Sequence, residues 1–351
     1  MLGQGCIEAD GDYARAGQAG LWHRARAGDR GLDVGRHMAD RPLNVAVLAG
    51  GIGPERQVSL ESGQAAVAAL RQAGYISDIY DIGPDRLQIL DQKGIDVFFV
   101  ALHGAFGEDG QLQAIMEQRK LRYTGSGPDG CRLAFDKLAT KERLQRLGIP
   151  TPPYLVFDRQ TDPGPFAQRL AGLGHRYVVK PVRQGSSVGV SIVEGPDAAL
   201  ETCAKTAVEF GDCLVERYIE GRELTVGILL GRALPVIEIR PCRPFYDFQA
   251  KYTDDRTEFV FDSLPPDLQD SVQRQAMDVF VALGMRHIGR IDMILDDCGT
   301  PYVLEANAIP GLTAHSLLPK AAMRAGVPFW RVCDMLVRAA MGQGIDIRAC
   351  G

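Results

Sequence analysis

Beyond residue 40, the chain alternates short apolar runs with longer amphipathic stretches. Val45, Val47 and Leu48 predict a strand that ends at Gly50-Gly51, and a helix is predicted over residues 58–72. Further strands are predicted over 76–82 and 96–102. Strands that alternate with helices are typical of a parallel, doubly wound α/β sheet.

After about residue 127 the pattern changes. A helix is predicted over 131–146, and prolines at 150, 152 and 153 indicate a linker into a new lobe. Short strands follow at 177–181, 189–193 and 213–216 around one helix, and from about Glu223 strands alternate with helices at 266–283 and 317–325. A chain of 351 residues exceeds the size at which one core keeps growing, so several lobes are expected.

Residues 1–37 have a different composition, rich in Gly, Ala, Arg and Asp and without a periodic apolar pattern. We expect a disordered tail. Met38 lies just before the first strand, so one hypothesis is that the tail comes from a misplaced start codon. The alternative is a real but dispensable extension.

Composition excludes few functions. A net charge of −5 gives no electrostatic reason to bind nucleic acid or an anionic membrane. Apolar runs such as residues 97–102 are too short to cross a bilayer. The eight cysteines form no Cys-x-x-Cys pair, which argues against a zinc knuckle or a disulfide framework and predicts reduced thiols in the cytoplasm.

The sharpest local signal is a β-hairpin over residues 290–307. If the turn is the two-residue Cys298-Gly299, Asp297 pairs with Thr300, Asp292 with Glu305, and Arg290 with Asn307. Asp292, Glu305, Arg290 and Asn307 then share one face. Opposed carboxylates repel each other, and Asp, Glu and Asn oxygens suit magnesium, so the face predicts a metal site. A solvated hairpin face is the alternative.

A second candidate is the loop from Gly185 to Gly189, which follows a strand that ends near Lys180. Its glycines and its serines, Ser186 and Ser187, could present N–H and hydroxyl donors to phosphate, with Lys180 as the cation. A plain hairpin loop is the alternative. Glu216 and Glu223 could accept hydrogen bonds from an adenine amino group and a ribose hydroxyl, or form an ordinary surface pair.

The first lobe offers a glycine-rich turn, Gly50-Gly51-Ile52-Gly53-Pro54-Glu55, with Asp81 at the end of the next strand. This invites a dinucleotide-binding interpretation, but Arg56 occupies the position of the third glycine. Glu55 could instead hold a substrate ammonium group. His103 ends the third strand at the same sheet edge, where a structural role and a ligand-binding role are both open.

Together these segments resemble the D-alanine:D-alanine ligase family of the ATP-grasp superfamily, from Met38 to about Ala340. Many short motifs in the right order carry the resemblance: Leu48-Ala49-Gly50-Gly51, Glu55-Arg56-Gln57-Val58-Ser59-Leu60, Ala101-Leu102-His103-Gly104, Gly107-Glu108-Asp109-Gly110, Tyr123-Thr124-Gly125-Ser126, Asp136-Lys137, Val179-Lys180-Pro181, Gly185-Ser186-Ser187-Val188-Gly189, Ala250-Lys251-Tyr252, Gly289-Arg290-Ile291-Asp292, Leu304-Glu305-Ala306-Asn307, Pro310-Gly311-Leu312-Thr313 and His315-Ser316-Leu317.

The resemblance implies a three-lobed α/β ligase. A Rossmann-like parallel-sheet domain (38–126) would precede a small central ATP-grasp lobe (127–221) and a C-terminal catalytic lobe (222–343), and the two α+β lobes would clasp ATP. It also implies ligation of two D-alanine molecules through an acyl phosphate, two Mg²⁺ or Mn²⁺ ions and a homodimer. The implied site residues are, for catalysis, Glu55, Ser186, Tyr252 and Arg290; for substrate, His103, Gly311, Ser316 and Leu317; for ATP, Lys137, Lys180, Ser187, Glu216, Glu223 and Lys251; for metal, Asp292, Glu305 and Asn307.

The chain departs from the family pattern at Gly53-Pro54, at Ala308-Ile309 and at Gln184, which stands where an acidic residue is frequent. Three rivals follow: a ligase that forms D-alanyl-D-lactate, a nucleotide-binding regulator without catalysis, and a dinucleotide-dependent oxidoreductase. Tyr252 disfavours the first, the hairpin residues disfavour the second, and the missing glycine disfavours the third.

Overall fold

The computed structural model describes residues 41–240, 257–313 and 315–343. Its first sheet is parallel, with strand order β2-β1-β3, so the predicted parallel α/β arrangement is confirmed. The run Val45–Ala49 is fully buried, as expected for a central strand covered on both faces. The elements of this part are β1 (Asn44–Gly50), α1 (Arg56–Gln72), β2 (Ile76–Ile82), a 3-10 helix (Gln88–Asp91), β3 (Val97–Val100) and α2 (Gln111–Gln118).

The single helix predicted over 131–146 is wrong. The structure has two helices, α3 (Pro128–Phe135) and α4 (Lys137–Arg146), separated by Asp136 in an extended conformation. The Asp136 carboxylate accepts a hydrogen bond from the backbone N–H of Ala139 at 2.9 Å and caps α4. The break makes Lys137 the first residue of α4.

The second sheet is antiparallel, with order β4-β7-β5-β6. The periodicity did not predict its first strand, β4, or the helix that follows this strand, α5. The phenol of Tyr177 donates to the carbonyl of Leu170 at 2.9 Å, which fixes α5 against β5. The elements are β4 (Tyr154–Phe157), α5 (Pro163–Leu173), β5 (Arg176–Pro181), β6 (Ser191–Glu194), α6 (Pro196–Phe210) and β7 (Cys213–Arg217).

The third sheet has order β11-β10-β8-β12-β13, with β9 paired to β8. The two predicted helices near 266–283 and 317–325 are present, and a further helix follows them. The elements are β8 (Arg222–Leu229), β9 (Arg232–Ala233), β10 (Ile237–Arg240), β11 (Glu258–Phe261), α7 (Pro266–Ala282), β12 (Ile288–Leu295), β13 (Pro301–Asn307), α8 (Leu317–Arg324) and α9 (Phe329–Ala340).

The last helix of the described residues, α9, packs against the first sheet and α1 in one shared core. The Tyr75 phenol donates to Asp334 Oδ1 at 2.7 Å, and Arg331 and Arg338 also bind this buried carboxylate. Burial, reinforced by the bond to Asp334, raises the pKa of Tyr75 to about 12. This contact joins residues 259 positions apart and holds the C-terminal helix beside the first lobe.

The predicted tail at residues 1–37 lies outside the described residues, as do Lys251 and Tyr252. The lobe boundaries at residues 126 and 221 stay predictions. Among the described residues, no helix is both long and apolar enough to cross a bilayer.

Candidate active site

The β12–β13 hairpin places Asp292 opposite Glu305 and Arg290 opposite Asn307, as the alternation predicts. The apolar face of the strand is buried, because Ile291, Met293 and Leu295 pack into the core between the sheet and α7. The polar face therefore points toward the other lobes, and the alternative of a solvated hairpin face is wrong: Asp292 is only 7% exposed.

The predicted two-residue turn and the pairing of Asp297 with Thr300 are wrong. Thr300 instead bonds to Asp296: the Asp296 N–H donates to the Thr300 carbonyl at 3.1 Å, and Gly299, at φ +81°, donates to the Asp296 carbonyl. These bonds define a three-residue turn. The register shifts back at a bulge between Asp292 and Met293, so the two irregularities cancel and the polar residues still pair as predicted.

Asp292 is held by side chains from three strands. Thr225 on β8 donates to its Oδ1 at 2.6 Å, Arg290 donates to both oxygens at 2.9 and 2.7 Å, and Asn307 donates to Oδ2 at 3.1 Å. The carboxylate thus has a fixed orientation. Thr225 was missed from the sequence, because the pairing of β8 with β12 joins residues that lie far apart along the chain.

A cavity of about 350 Å³ lies between the second and third sheets. Lys137 and Lys180 stand in its wall; Lys137 Nζ lies 3.5 Å from Glu305 Oε2 and donates to the carbonyl of Gln184. Two lysines beside hairpin carboxylates suit a ligand with several negative charges. Of the residues predicted to bind ATP or metal, this cavity is lined by Lys137, Lys180, Ser187, Glu216, Glu223, Asp292 and Glu305.

Glu216 is only 1% exposed, so the alternative of a surface pair is wrong for this residue. Its Oε1 lies 2.8 Å from Lys141 Nζ and 2.9 Å from Lys180 Nζ. Burial by itself would raise the pKa of Glu216, but the two ammonium groups outweigh it and hold the pKa below its usual value. The carboxylate is therefore an ionised acceptor in the wall of the cavity.

The loop predicted to bind phosphate follows β5 and crosses from the first cavity toward a second one. Ser186 and Ser187 both adopt left-handed backbone conformations, at φ +51° and +58°. Two consecutive non-glycine residues in this region are strained by roughly 1–2 kcal/mol each. In this conformation Ser187 lines the first cavity and Ser186 lines the second.

The second cavity, of about 390 Å³, adjoins the first at Glu305. Ser186 Oγ donates to Glu55 Oε1, which joins a residue of the first lobe to the loop. Gly104 and Gly185 back this pair closely, since a Cβ on either would lie 2.6 or 2.9 Å from a Glu55 oxygen. Of the predicted catalytic, substrate and metal residues, this cavity is lined by Glu55, His103, Ser186, Arg290, Glu305, Asn307, Gly311, Ser316 and Leu317.

His103 lines the second cavity, but both of its ring nitrogens have protein partners. Nδ1 lies 3.0 Å from the Ile309 carbonyl, so it must donate, and Nε2 lies 2.9 Å from Ser62 Oγ. Burial, assisted by the charge of Arg290, lowers the pKa of His103 to about 4 despite the carbonyl. This geometry favours a neutral imidazole that joins α1 to the loop after β13.

Glu108, which the sequence offered only as part of a motif, also lines the second cavity. Burial, reinforced by the charge of Glu55, raises the pKa of Glu108 to about 8, although the Gly104 N–H donates to it at 2.9 Å. A buried carboxyl group with a raised pKa beside a second carboxylate is a common feature of active sites. In the sequence, the one indication that Glu108 lies near the site was its position five residues after His103, which lines the same cavity.

The dinucleotide interpretation fails on structural grounds. Arg56, at the third-glycine position, donates to both oxygens of Asp81, and Arg86 adds a contact at 3.1 Å. Asp81 also lies against the turn, because a Cβ on Gly50 would sit 2.1 Å from its Oδ1. The acidic group that would bind a ribose is thus already occupied.

The hairpin residues fit a divalent cation. Within the described residues, no group of three or more His, Cys, Asp and Glu side chains could hold a metal, so a third ligand from this face would have to be the amide of Asn307. Its Nδ2 donates to Asp292, which leaves the amide oxygen as an acceptor. Carboxylate and amide oxygens are the hard ligands that magnesium prefers.

Two antiparallel sheets that enclose a charged cavity, beside a parallel-sheet lobe, define an ATP-grasp protein. Family models agree: "D-ala D-ala ligase N-terminus" matches residues 85–126 and "D-ala D-ala ligase C-terminus" matches residues 144–338. The D-alanine–D-alanine ligase of Syntrophotalea carbinolica is 42% identical over 301 residues, which are 84% of this chain and 95% of that protein. That of Geobacter sulfurreducens is 40% identical over 303 residues, 86% and 95% of the two chains.

A solved structure of D-alanine–D-alanine ligase from Bacillus anthracis complexed with ATP superposes with a TM-score of 0.75 at 31% identity, covering 86% of this chain and 98% of that one. The chain therefore belongs to the D-alanine–D-alanine ligase family.

Proposed function

We propose that this protein joins two D-alanine molecules into D-alanyl-D-alanine at the expense of ATP, with ADP and phosphate as the other products. One observation carries the proposal: Glu305 lines both cavities. A nucleotide in the first cavity and an amino acid in the second would therefore meet at this carboxylate. Membership of the ligase family supports the same reaction.

In the first step, the carboxylate of one D-alanine attacks the γ-phosphate of ATP, the bond to the β-phosphate oxygen breaks, and an acyl phosphate and ADP form. Glu55 would bind the ammonium group of that D-alanine, since its carboxylate already lies against the cavity. Lys137 and Lys180 would spread the charge of the transferred phosphoryl group, with Lys251 as a further ATP-binding residue. Ser187 and the neighbouring loop would cover the phosphates, Glu216 would accept from adenine, and Glu223 from ribose.

In the second step, the neutral amine of the other D-alanine attacks the acyl carbonyl, and phosphate leaves. Arg290 and the backbone N–H of Gly311 would stabilise the oxyanion. Ser186 and Tyr252 would position the attacking amine, and Ser316 and Leu317 would line its pocket. An acyl phosphate hydrolyses readily, so exclusion of water by the surrounding loops is essential.

Asp292, Glu305 and Asn307 would hold two Mg²⁺ or Mn²⁺ ions. Bound there, the ions neutralise phosphate charge and orient the γ-phosphoryl group. The chain's own contribution is the fixed carboxylate of Asp292, which Thr225 and Arg290 orient.

The deciding experiment measures phosphate release from ATP with D-alanine, D-lactate and L-alanine supplied separately and in pairs. We expect turnover with D-alanine alone and identify the dipeptide by mass spectrometry. Turnover that requires D-lactate would support the depsipeptide-forming rival. No phosphate release with any acceptor would support the rival of a nucleotide-binding protein without catalysis. The Ser186→Ala variant should lose most turnover, whereas Ser191→Ala, on β6, should retain it.

The dipeptide would serve as a peptidoglycan precursor, and we propose that it is made in the cytoplasm, where ATP is available. The family resemblance also supports a homodimer. Analytical ultracentrifugation at micromolar concentration tests this proposal, because a sedimenting mass equal to one chain would refute it.

A further inference from the structure

Lys141 is a buried lysine behind the wall of the first cavity. It stands one turn after Lys137 on α4, yet it is only 1% exposed and does not line the cavity. Its ammonium group donates to Thr151 Oγ1 at 2.6 Å and to the Pro152 carbonyl at 3.0 Å, and lies 2.8 Å from Glu216 Oε1. Two hydrogen bonds and one ion pair therefore hold the ammonium group in place.

The surroundings show that this charge is held at a cost. Burial lowers the pKa of Lys141 to about 8, with Lys180 adding to the effect and Glu216 opposing it. The charged or titratable groups that face it are Glu216 on β7, Lys180 on β5 and Tyr154 on β4, whose ring centroid lies 5.0 Å from Nζ. A fully buried ammonium is rare unless it is paired, and an apolar side chain would often pack there at equal or lower cost.

Lys141 and Lys180 differ in one respect. Both contact Glu216 Oε1, but only Lys180 also lines the cavity, where an anionic ligand can attract it. If phosphates draw Lys180 away, Glu216 keeps its charge and orientation only through Lys141, which is anchored by Thr151 and Pro152.

We propose that Lys141 is a positioning residue for nucleotide recognition: it holds the Glu216 carboxylate ionised and aimed at the base while Lys180 serves the phosphates. This inference rests on the proposed function and adds base selectivity to it. An ionised carboxylate accepts from the 6-amino group of adenine and repels the 6-oxo group of guanine, so Lys141 should sustain the preference for ATP over GTP.

The test measures binding of ATP and GTP by calorimetry in the absence of D-alanine. We expect Lys141→Met, which keeps the length and removes the charge, to weaken ATP binding about ten-fold and to lower the ATP-to-GTP affinity ratio. In turnover assays KM for ATP should rise while KM for D-alanine changes little. Lys205→Met is the matched control, because Lys205 forms an exposed pair with Glu201 at 2.7 Å on α6.

A second measurement follows the pH dependence of ATP binding. ATP affinity of the wild-type protein should fall as the pH rises from about 7 to 9.5, since Lys141 loses its proton in this range while the phosphates are already ionised. Lys141→Met should show no such decline. ATP affinity that is unchanged in Lys141→Met, or flat with pH in the wild type, would overturn the proposal, and a loss of thermal stability alone would assign Lys141 a structural role.

The outcomes remain separate from those of the proposed function. Nucleotide binding that responds as expected, without ligase turnover, would refute the ligase reaction and leave the role of Lys141 standing. Ligase turnover, with ATP binding that changes neither with pH nor in Lys141→Met, would refute the role of Lys141 and leave the ligase reaction standing.

Discussion

The hydrogen bond from Thr225 to Asp292 offers a sharp test of the site, because Thr225→Val removes the hydroxyl group and keeps the shape. The O–O distance is 2.6 Å, and both residues are buried, at 1% and 7% exposure. A hydrogen bond to an ionised group contributes about 1.5–3 kcal/mol to stability. Arg290 and Asn307 still bind Asp292 in the variant, so we expect the lower end of this range.

Each kcal/mol lost lowers Tm by about 2–4 °C in a domain of roughly 150–250 residues, so a loss of about 1.5 kcal/mol should lower Tm by roughly 3–6 °C. The loss should also weaken binding of Mn²⁺ about ten-fold, because a ligand carboxylate without its supporting donor is less well oriented. Calorimetric Mn²⁺ titration and thermal melting measure the two effects. Thr202→Val on α6 is the control, since its hydroxyl donates to the Ala198 carbonyl of its own helix at 2.8 Å. An unchanged Tm together with unchanged Mn²⁺ affinity would show that Thr225 does not hold Asp292.

Three further predictions concern Glu305, Tyr252 and Tyr75. Glu305→Gln should weaken magnesium dependence and lower turnover severely, and a wild-type magnesium titration curve in this variant would refute the hairpin metal site. Tyr252→Phe should reduce D-alanyl-D-alanine formation and relax discrimination against D-lactate; product analysis with both acceptors present, together with ATP binding, checks this, and an effect on ATP binding alone would contradict it. Tyr75→Phe should lose about 1–2 kcal/mol at neutral pH through the bond to Asp334. Because the raised pKa of Tyr75, about 12, favours the neutral phenol in the folded state, this advantage is present below pH 10 and lost between about pH 10 and 12, as denaturant melts can show.

Local periodicity predicted most of the strands because buried strands need apolar side chains at every position or at every second one. The first sheet is the clearest case, where β2 has the predicted limits, Ile76–Ile82. The pairing of Asp292 with Glu305 was also predicted correctly, although the assumed turn was wrong. An extra turn residue and a compensating bulge change the path of the hairpin and leave that pair unchanged.

The helix break at Asp136 shows where local pattern fails. Nothing in the apolar spacing of residues 131–146 forbids a continuous helix. The break is stabilised by a cap within α4 and by Arg183, a residue 47 positions away whose Nε lies 2.7 Å from the Asp136 carboxylate. Such a long-range partner is invisible to any short window of sequence.

The parallel first sheet and the polar face of the hairpin could be predicted from the residues alone, since they depend on local alternation and on side-chain chemistry. Only the tertiary structure showed that Arg56 neutralises Asp81, that Thr225 orients Asp292 and that Lys141 shares Glu216 with Lys180. Each of these contacts joins separate elements of the chain. Their existence depends on how sheets and helices pack, and packing is decided by the whole core rather than by neighbouring residues.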